Sequence, residues 1–370
     1  MITIFLMLAT VTFACSASLC VLARRWAPRL GYVDHPGERK IHREPVPYGG
    51  GVAVYLSVLA GLAVVGLAAW AYGAAKSQVG PEGAPTAYFG QLWTALTGTG
   101  SRLFIILGSG TFLLLVGLVD DRWGLSARVK LCAQLVIALF LFRQGIAITA
   151  FLGWWGASLA LTVLWIVGLT NAFNFLDNMN GLCGGLACVS GAIFFTVAVQ
   201  TQQFFVAAIL AVLVGALIGF LLFNYPKASL FLGDAGSLFV GFLLATLAIE
   251  FQFYSSADPT RYRIFPIVLP LLIFAIPIYD VTSVVVLRLR AGESPLKADK
   301  RHFSHRLVAL GMTPVLAVFT ILLLAFAIGI TATLLYLLNA HAQSALVMLA
   351  QALAVLLVIV LLEVSAARRQ

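Results

Sequence analysis

Four aspartates stand at the ends of long apolar segments, where an ionised side chain is costly. Asp120 and Asp121 follow one apolar run in VDDRW, Asp177 lies in NAFNFLDNMNGL, and Asp234 lies in FLGDAGS. The chain has only 14 acidic residues among 370, and ionisable groups at membrane depth are functional candidates by default. Carboxylates are also ligands of hard cations such as Mg²⁺. The pattern predicts a metal-dependent active site on one face of a membrane.

The aspartate doublet allows several interpretations. Adjacent carboxylates repel each other unless a cation or a proton is shared, so Asp120 and Asp121 suggest metal, ammonium or proton handling. The alternative is a solvated pair that marks the end of a helix. Lys130, nine residues after the doublet, is predicted either to neutralise one carboxylate or to bind a diphosphate.

An asparagine cluster surrounds the third aspartate. Asn171, Asn174 and Asp177 recur every three residues, which predicts that they line one face of a helix, and Asn180 follows. That face could hydrogen-bond a ribose, a base or a sugar. A polar helix end with capping duties is the alternative.

Asp234 lies between Gly233 and Gly236 at the start of an apolar run. A carboxylate in such a turn can hold a hard cation and leave positions open for phosphate oxygens, although helix N-capping is the alternative. Phe231, three residues earlier, could stack on a base, but an aromatic residue in an apolar run also serves packing.

Two further loops carry clustered cations. Arg39, Lys40 and His42 precede a glycine cluster at a helix start, and glycines there let a phosphate approach backbone amides. Anchoring to lipid headgroups is the alternative. In the last loop Arg301 accompanies His302 and His305, a pair suited to zinc or phosphate. Phosphate is preferred, because no carboxylate or cysteine completes a zinc set with the two histidines.

The elements that position these residues are predicted to be membrane helices. Hydrophobic residues make up 61% of the chain and charged residues 10%, far below the roughly one-quarter charged residues of soluble domains. We therefore expect an all-α, polytopic helical bundle that forms one membrane domain over residues 1–370. Apolar runs of about 20 residues can cross a bilayer. They start near Ile2, Gly49, Leu103, Ile146, Cys183, Phe204, Ala235, Phe265, Thr313 and Ser344.

The eleventh run, Leu131 to Phe142, is short, so the prediction is about eleven crossings, or ten without it. Three prolines predict a bent or broken helix before the last loop, and Asp280 lies near its inner end. These are Pro266, Pro270 and Pro277.

The basic residues predict the orientation. With the N-terminus outside and the C-terminus in the cytoplasm, 18 of the 23 lysines and arginines lie inside, as the positive-inside rule requires. All four aspartates then face the cytoplasm from the plasma membrane. The net charge of +9 does not call for a nucleic acid, because anionic membrane lipid and an anionic substrate explain it equally well.

Together these motifs resemble the polyprenyl-phosphate N-acetylhexosamine-1-phosphate transferases of glycosyl transferase family 4. The resemblance runs from about Asp34 to Leu307 through RKIH and its glycines, the aspartate doublet, NAFNFLD, GDAGS, IPIYD and the histidine loop. It implies transfer of an N-acetylhexosamine-1-phosphate, favouring GlcNAc-1-phosphate, from a UDP-sugar to undecaprenyl or another polyprenyl phosphate. It also implies UMP release, a Mg²⁺ cofactor with Mn²⁺ as a substitute, and a role in cell-envelope glycan synthesis. A homodimer is a further hypothesis.

The resemblance assigns roles to individual positions. Asp234 corresponds to the family's magnesium ligand, with Asp177 assigned beside it, and Asp120, Asp121 and Asp177 correspond to its essential carboxylates. Four positions correspond to residues near the nucleotide in the family: Lys130, Asn174, Asn224 and Phe231. The family's histidine motif corresponds to His302 and His305. Asn180 replaces the family's usual aspartate next to the base site. Ser304 replaces a frequent middle histidine, which favours a GlcNAc donor over muramoyl-pentapeptide.

The implied mechanism is attack of the acceptor phosphate on the sugar-proximal phosphorus, with Asp120 or Asp121 taking the proton. A covalent aspartyl intermediate is the alternative. Two other classes remain open: a proton-coupled transporter and a scaffold without turnover.

Overall fold

The chain folds almost entirely into α-helices. The computed structural model describes residues 2–36, 44–79, 87–149, 154–251, 265–294, 301–337 and 342–367. The described helices confirm the predicted all-α, polytopic membrane architecture. One small departure occurs in the first loop, where β1 (Val33–Asp34) pairs antiparallel with β2 (Val46–Pro47), because this loop folds back along itself.

The structure describes thirteen α-helices within these ranges. Their bounds are α1 Ile2–Trp26, α2 Gly50–Val79, α3 Ala87–Trp123, α4 Ala127–Arg143, α5 Trp155–Phe175, α6 Leu182–Gln200, α7 Phe204–Asn224, α8 Gly233–Glu250, α9 Phe265–Ile273, α10 Ala275–Arg290, α11 Phe303–Ala309, α12 Pro314–Leu337 and α13 Ala342–Ala367.

Eight helices in the described part of the chain are long and apolar enough to cross a bilayer: α1, α2, α3, α5, α6, α7, α8 and α12. Helix α4 has 17 residues, and the described apolar part of α13 is also short, Leu346–Leu361. The chain is therefore a multi-pass membrane protein, while the count of eleven crossings and the orientation stay predictions.

The proline-rich helix is broken, as its sequence predicted. Helix α9 ends at Ile273 and α10 begins at Ala275, with Phe274 between them. Pro270 lies inside α9 and Pro277 lies in the first turn of α10. Each proline lacks the N–H that would continue the helix.

The core is built around α7 and α8, the most buried of the spanning helices. Helix α7 packs against α1, α6 and α2, and α8 packs against α3, α5 and α2. Glycines permit the close approach around the start of α8: a Cβ on Gly51 would lie 2.3 Å from the backbone N of Gly236, and one on Gly117 would lie 2.4 Å from the Ala235 backbone. Small residues let membrane helices approach closely, and here they fix the first turn of α8 against α2 and α3.

Candidate active site

A lysine joins two of the four aspartates. Lys130 Nζ lies 2.7 Å from Asp120 Oδ2 and 2.6 Å from Asp234 Oδ2. Ser126 caps the N-terminus of α4 and so starts the helix that carries Lys130. Asp120 lies in the last turn of α3, and Asp234 lies in the first turn of α8. Of the two predicted roles for this lysine, the structure shows the neutralisation of carboxylates. The ion pairs are partly buried, so loss of the lysine would leave two carboxylates close together without their counter-ion.

Asp121 caps the first turn of α8 from a different helix. Its Oδ1 accepts the Asp234 N–H at 2.7 Å, and its Oδ2 accepts the Ala235 N–H at 3.2 Å and the Tyr32 hydroxyl at 2.7 Å. The amides at a helix N-terminus favour a negative charge. The N-cap position itself is Leu232, without a side-chain cap, so the capping carboxylate is Asp121 and the alternative interpretation of Asp234 as an N-cap is wrong.

Asp177 lies just beyond the end of α5 and faces the same turn of α8. Its carboxylate accepts a hydrogen bond from the Gly233 amide. Burial and, to a smaller extent, the negative charges of Asp234 and Asp121 together raise the pKa of Asp177 to about 8. Within the described ranges no cationic side chain pairs with Asp177. This group therefore stays ionised at neutral pH only if an added cation offsets its neighbours.

The donor set fits a Mg²⁺ ion. Mg²⁺ prefers oxygen ligands and is usually bound through one or two carboxylates, with water and substrate phosphates in the remaining positions. In the part of the chain that the structure describes, no three His, Cys, Asp or Glu side chains close around one point. Asp177 and Asp234 lie at the same turn of α8, and two carboxylates are within the number that Mg²⁺ usually takes from a protein.

The asparagines of α5 divide between two neighbours. Asn171 hydrogen-bonds Gln134 of α4 and the Val167 carbonyl, whereas Asn174 Nδ2 donates to Ser237 Oγ of α8 at 2.9 Å. The prediction of one shared helical face is wrong for Asp177, because the helix ends at Phe175 and Asp177 lies in the turn that follows. It is also wrong for Asn171, which faces α4, whereas Asn174 and Asp177 both face α8.

Asn224 and Asn180 hold the loops beside the site. Asn224 is buried; its Oδ1 accepts the Gly181 N–H at 2.6 Å and its Nδ2 donates to the Leu230 carbonyl at 3.0 Å. Asn180 Nδ2 donates to the Pro226 carbonyl at 3.3 Å. Both side chains thus tie the segment after α5 to the segment between α7 and α8.

Phe231 belongs to an aromatic row beside the carboxylates. Its ring centroid lies 6.2 Å from that of Tyr48, which lies 5.4 Å from that of Tyr32. The amides of Gly50 and Gly51 donate to the carbonyls of Phe231 and Leu232, each at 2.9 Å. The prediction that these glycine amides receive a phosphate is therefore wrong, because they dock the loop before α8.

The histidine loop forms a second polar centre. His302 Nδ1 lies 2.8 Å from Asp280 Oδ2, and the Phe303 N–H donates to Asp280 Oδ1 at 2.6 Å. Both partners are buried. The rings of Phe175 and His302 pack edge-on with their centroids 5.7 Å apart. Ser304 Oγ donates to Asn178 Oδ1 at 2.7 Å. The loop therefore packs against the segment that carries Asp177.

The other predicted cations are placed differently. Arg301 forms an ion pair with Glu293 at 3.0 Å, and His305 lies partly buried on α11, one helical turn from His302. Arg39, Lys40 and His42 lie outside the described residues.

The sequence did not predict the contacts of two residues at the site. Tyr32 contacts Asp121 although 89 positions separate them, and Asp280 contacts His302 across 22 positions. The only signal for Tyr32 was its place beside the basic first loop. Asp280 stood in the IPIYD motif, but nothing in the sequence paired it with the histidine.

Comparisons with known proteins point to one family. The sequence profile of glycosyl transferase family 4 matches residues 103–252. A probable undecaprenyl-phosphate N-acetylglucosaminyl 1-phosphate transferase from Bacillus subtilis (strain 168) is 31% identical, over 85% of this chain and 80% of the relative. A decaprenyl-phosphate N-acetylglucosaminephosphotransferase from Mycobacterium leprae is also 31% identical, over 82% and 75%. An undecaprenyl-phosphate alpha-N-acetylglucosaminyl 1-phosphate transferase from Escherichia coli K12 is 27% identical, over 79% and 73%.

The alignment with the Bacillus subtilis relative extends well beyond the family profile into the histidine loop, so it includes both polar centres described above. Because a 31% identical relative aligns over most of both chains, this chain belongs to glycosyl transferase family 4.

Proposed function

We propose that this protein transfers N-acetylglucosamine-1-phosphate from UDP-N-acetylglucosamine to undecaprenyl or another polyprenyl phosphate and releases UMP. The names of its relatives support this substrate class. The observation that carries the proposal is the cluster of four aspartates at the ends of α3, α5 and α8. In it Lys130 bridges Asp120 and Asp234, while Asp121 and Asp177 accept backbone amides at the start of α8. The product would begin a lipid-linked glycan of the cell envelope.

The chemistry requires two anions to meet. A polyprenyl phosphate must approach a nucleotide diphosphate sugar, and phosphoryl transfer depends mainly on positioning and on electrostatic stabilisation. Lys130 offers a positive charge beside Asp120 and Asp234. The three hydrogen bonds to Asp121 hold its carboxylate still, so the doublet keeps a fixed geometry while Asp120 or Asp121 takes the proton of the acceptor phosphate.

A Mg²⁺ ion, with Mn²⁺ as a substitute, would be held by Asp234 and Asp177 in this scheme. Bound there, the ion would offset the charge of the donor diphosphate. The side chains of Asn174 and Phe231 flank the same turn of α8 and are proposed to contact the nucleotide.

Isotope exchange tests the function itself. Attack at phosphorus replaces one phosphoanhydride by another and releases UMP, so labelled UMP should return to the UDP-sugar in the presence of lipid acceptor and Mg²⁺. Attack at the sugar carbon would release UDP instead. A proton-coupled transporter would show no exchange, and a muramoyl-pentapeptide transferase would exchange only with its own donor. Release of UDP during turnover would reject the proposed reaction.

The site is proposed to face the cytoplasm. The chemistry-bearing ends of α3, α5 and α8 share one end of the bundle with the basic end of α10. Single cysteines near Lys227 and His302, in a background without native cysteines, should resist a membrane-impermeant thiol reagent in intact cells and react after permeabilisation. Labelling near Lys227 in intact cells would overturn the orientation.

The contact between Asp280 and His302 predicts coupled effects on turnover. A carboxylate that accepts Nδ1–H fixes the histidine tautomer and orientation, which leaves Nε2 for a phosphate. Asp280→Asn should lower kcat/KM by about tenfold, on the scale of a lost charge-assisted hydrogen bond. In a His302→Gln background, Asp280→Asn should lower kcat/KM little further, because the imidazole that Asp280 orients is already absent.

A purely structural role for Asp280 would give additive losses of kcat/KM in this cycle. Unfolding temperatures of the four proteins provide the control for folding.

A further inference from the structure

An apolar groove opens on the lipid-facing side of α1, α2 and α3, directly beside the carboxylate cluster. Its volume is about 570 Å³, and its walls include Leu22, Leu56, Leu115 and Val119. These four side chains are exposed on helices that are suited to span the bilayer. The acyl chains of the bilayer lipids surround such a surface, so the groove is accessible to a hydrocarbon tail.

One end of the groove is cationic. Arg122 lines it and donates through Nη1 to the Leu30 carbonyl at 2.8 Å. Arg29, next to Leu30, lies 5.0 Å from the ring of Trp26. Across the described ranges neither arginine is paired with a carboxylate.

The aromatic residues at this end locate it in the bilayer. Trp26 and Trp123 both line the groove and are exposed. Tryptophans concentrate at membrane interfaces, and unpaired arginines at that depth attract anionic headgroups. The groove thus combines a hydrocarbon channel with an anion-binding rim, a chemistry that matches an anionic phospholipid.

We propose that this groove binds an anionic phospholipid of the bilayer, with an acyl chain along α1–α3 and its phosphate on Arg122. The bound lipid would abut the active site, because Tyr32 lines the groove and donates to Asp121 Oδ2. Lipid occupancy would thereby hold the hydroxyl that fixes Asp121. This binding site does not depend on the proposed transfer reaction.

Lipid binding to the purified full-length protein tests the proposal. Native mass spectrometry of delipidated protein would compare phosphatidylglycerol with phosphatidylcholine of identical acyl chains. Wild type should bind phosphatidylglycerol about fivefold more tightly, the scale expected for one cation beside an anionic headgroup. Arg122→Gln should abolish this preference. Leu56→Trp, which fills the groove, should weaken the binding of both lipids.

Two variants serve as matched controls. Arg128→Gln removes another exposed arginine, and Leu323→Trp enlarges an exposed leucine on α12; both should bind as wild type does. Equal binding of the two lipids by wild type, or a preference that survives Arg122→Gln, would overturn the proposal. Displacement of phosphatidylglycerol by equimolar polyprenyl phosphate would instead assign the groove to the acceptor. If Leu56→Trp does not fold, Val119→Phe tests the same groove.

Discussion

Asp234→Asn is expected to lower turnover by about a thousandfold, which corresponds to about 4 kcal/mol of transition-state stabilisation. The amide keeps the size of the side chain but loses the charge that pairs with Lys130 at 2.6 Å. It also removes one of the two carboxylates proposed to hold Mg²⁺. The fold should survive, because the backbone N–H of residue 234 can still donate to Asp121.

Glu250→Gln provides the matched control on the same helix. Glu250 ends α8, where it pairs with Arg102 at 2.8 Å, far along the helix from Asp234. An ion pair with an exposed partner contributes little to stability, so this variant should turn over at the wild-type rate. Steady-state UMP release over a range of Mg²⁺ concentrations measures both variants. Near-normal turnover of Asp234→Asn at ordinary Mg²⁺ would show that another carboxylate holds the ion.

The sequence predicted the architecture because the membrane limits the choices. Backbone groups cannot face lipid unpaired, so long apolar runs must become helices. The broken helix was equally predictable, since Pro270 removes a backbone donor inside it. The two short strands were missed because two-residue pairings leave no periodic pattern in the sequence.

The candidate site could be predicted as a set of residues but not as a geometry. The carboxylates stood out because they are rare and costly in an apolar chain. Spacing alone placed Asn171 on the face of Asp177, yet α5 ends between them and the two side chains face different helices. Helical periodicity applies only while the helix continues, and its last residue depends on tertiary packing.

Contacts between distant segments were beyond the sequence. Nothing local indicates that Tyr32 reaches Asp121, or that the amides of Gly50 and Gly51 are already used by the loop before α8. Phosphate binding by glycine amides requires free donors, and tertiary docking decides whether they are free. Similarly, the choice for Lys130 between carboxylate and diphosphate depended on the packing of α4 beside α3 and α8.

Gly233→Ala should disable the site without removing any polar group. Gly233 has φ +73°, and a Cβ there would lie 2.5 Å from Asp121 Oδ2. The left-handed conformation costs about 1–2 kcal/mol for alanine, and the clash must also displace the Asp121 carboxylate from the amides of Asp234 and Ala235. Because misplacement by about 1 Å commonly costs about a hundredfold in rate, we expect turnover to fall at least that far.

Gly292→Ala separates this clash from backbone strain. Gly292 has nearly the same φ, +69°, but a Cβ at this position meets nothing within 4 Å. Both variants should therefore lose stability in thermal unfolding through the same backbone strain, with a further loss in Gly233→Ala from the clash, while only Gly233→Ala loses UMP release and label exchange. Wild-type turnover by Gly233→Ala would mean that catalysis does not need Asp121 against the first turn of α8. Equal loss of activity in both variants would attribute the effect to strain alone.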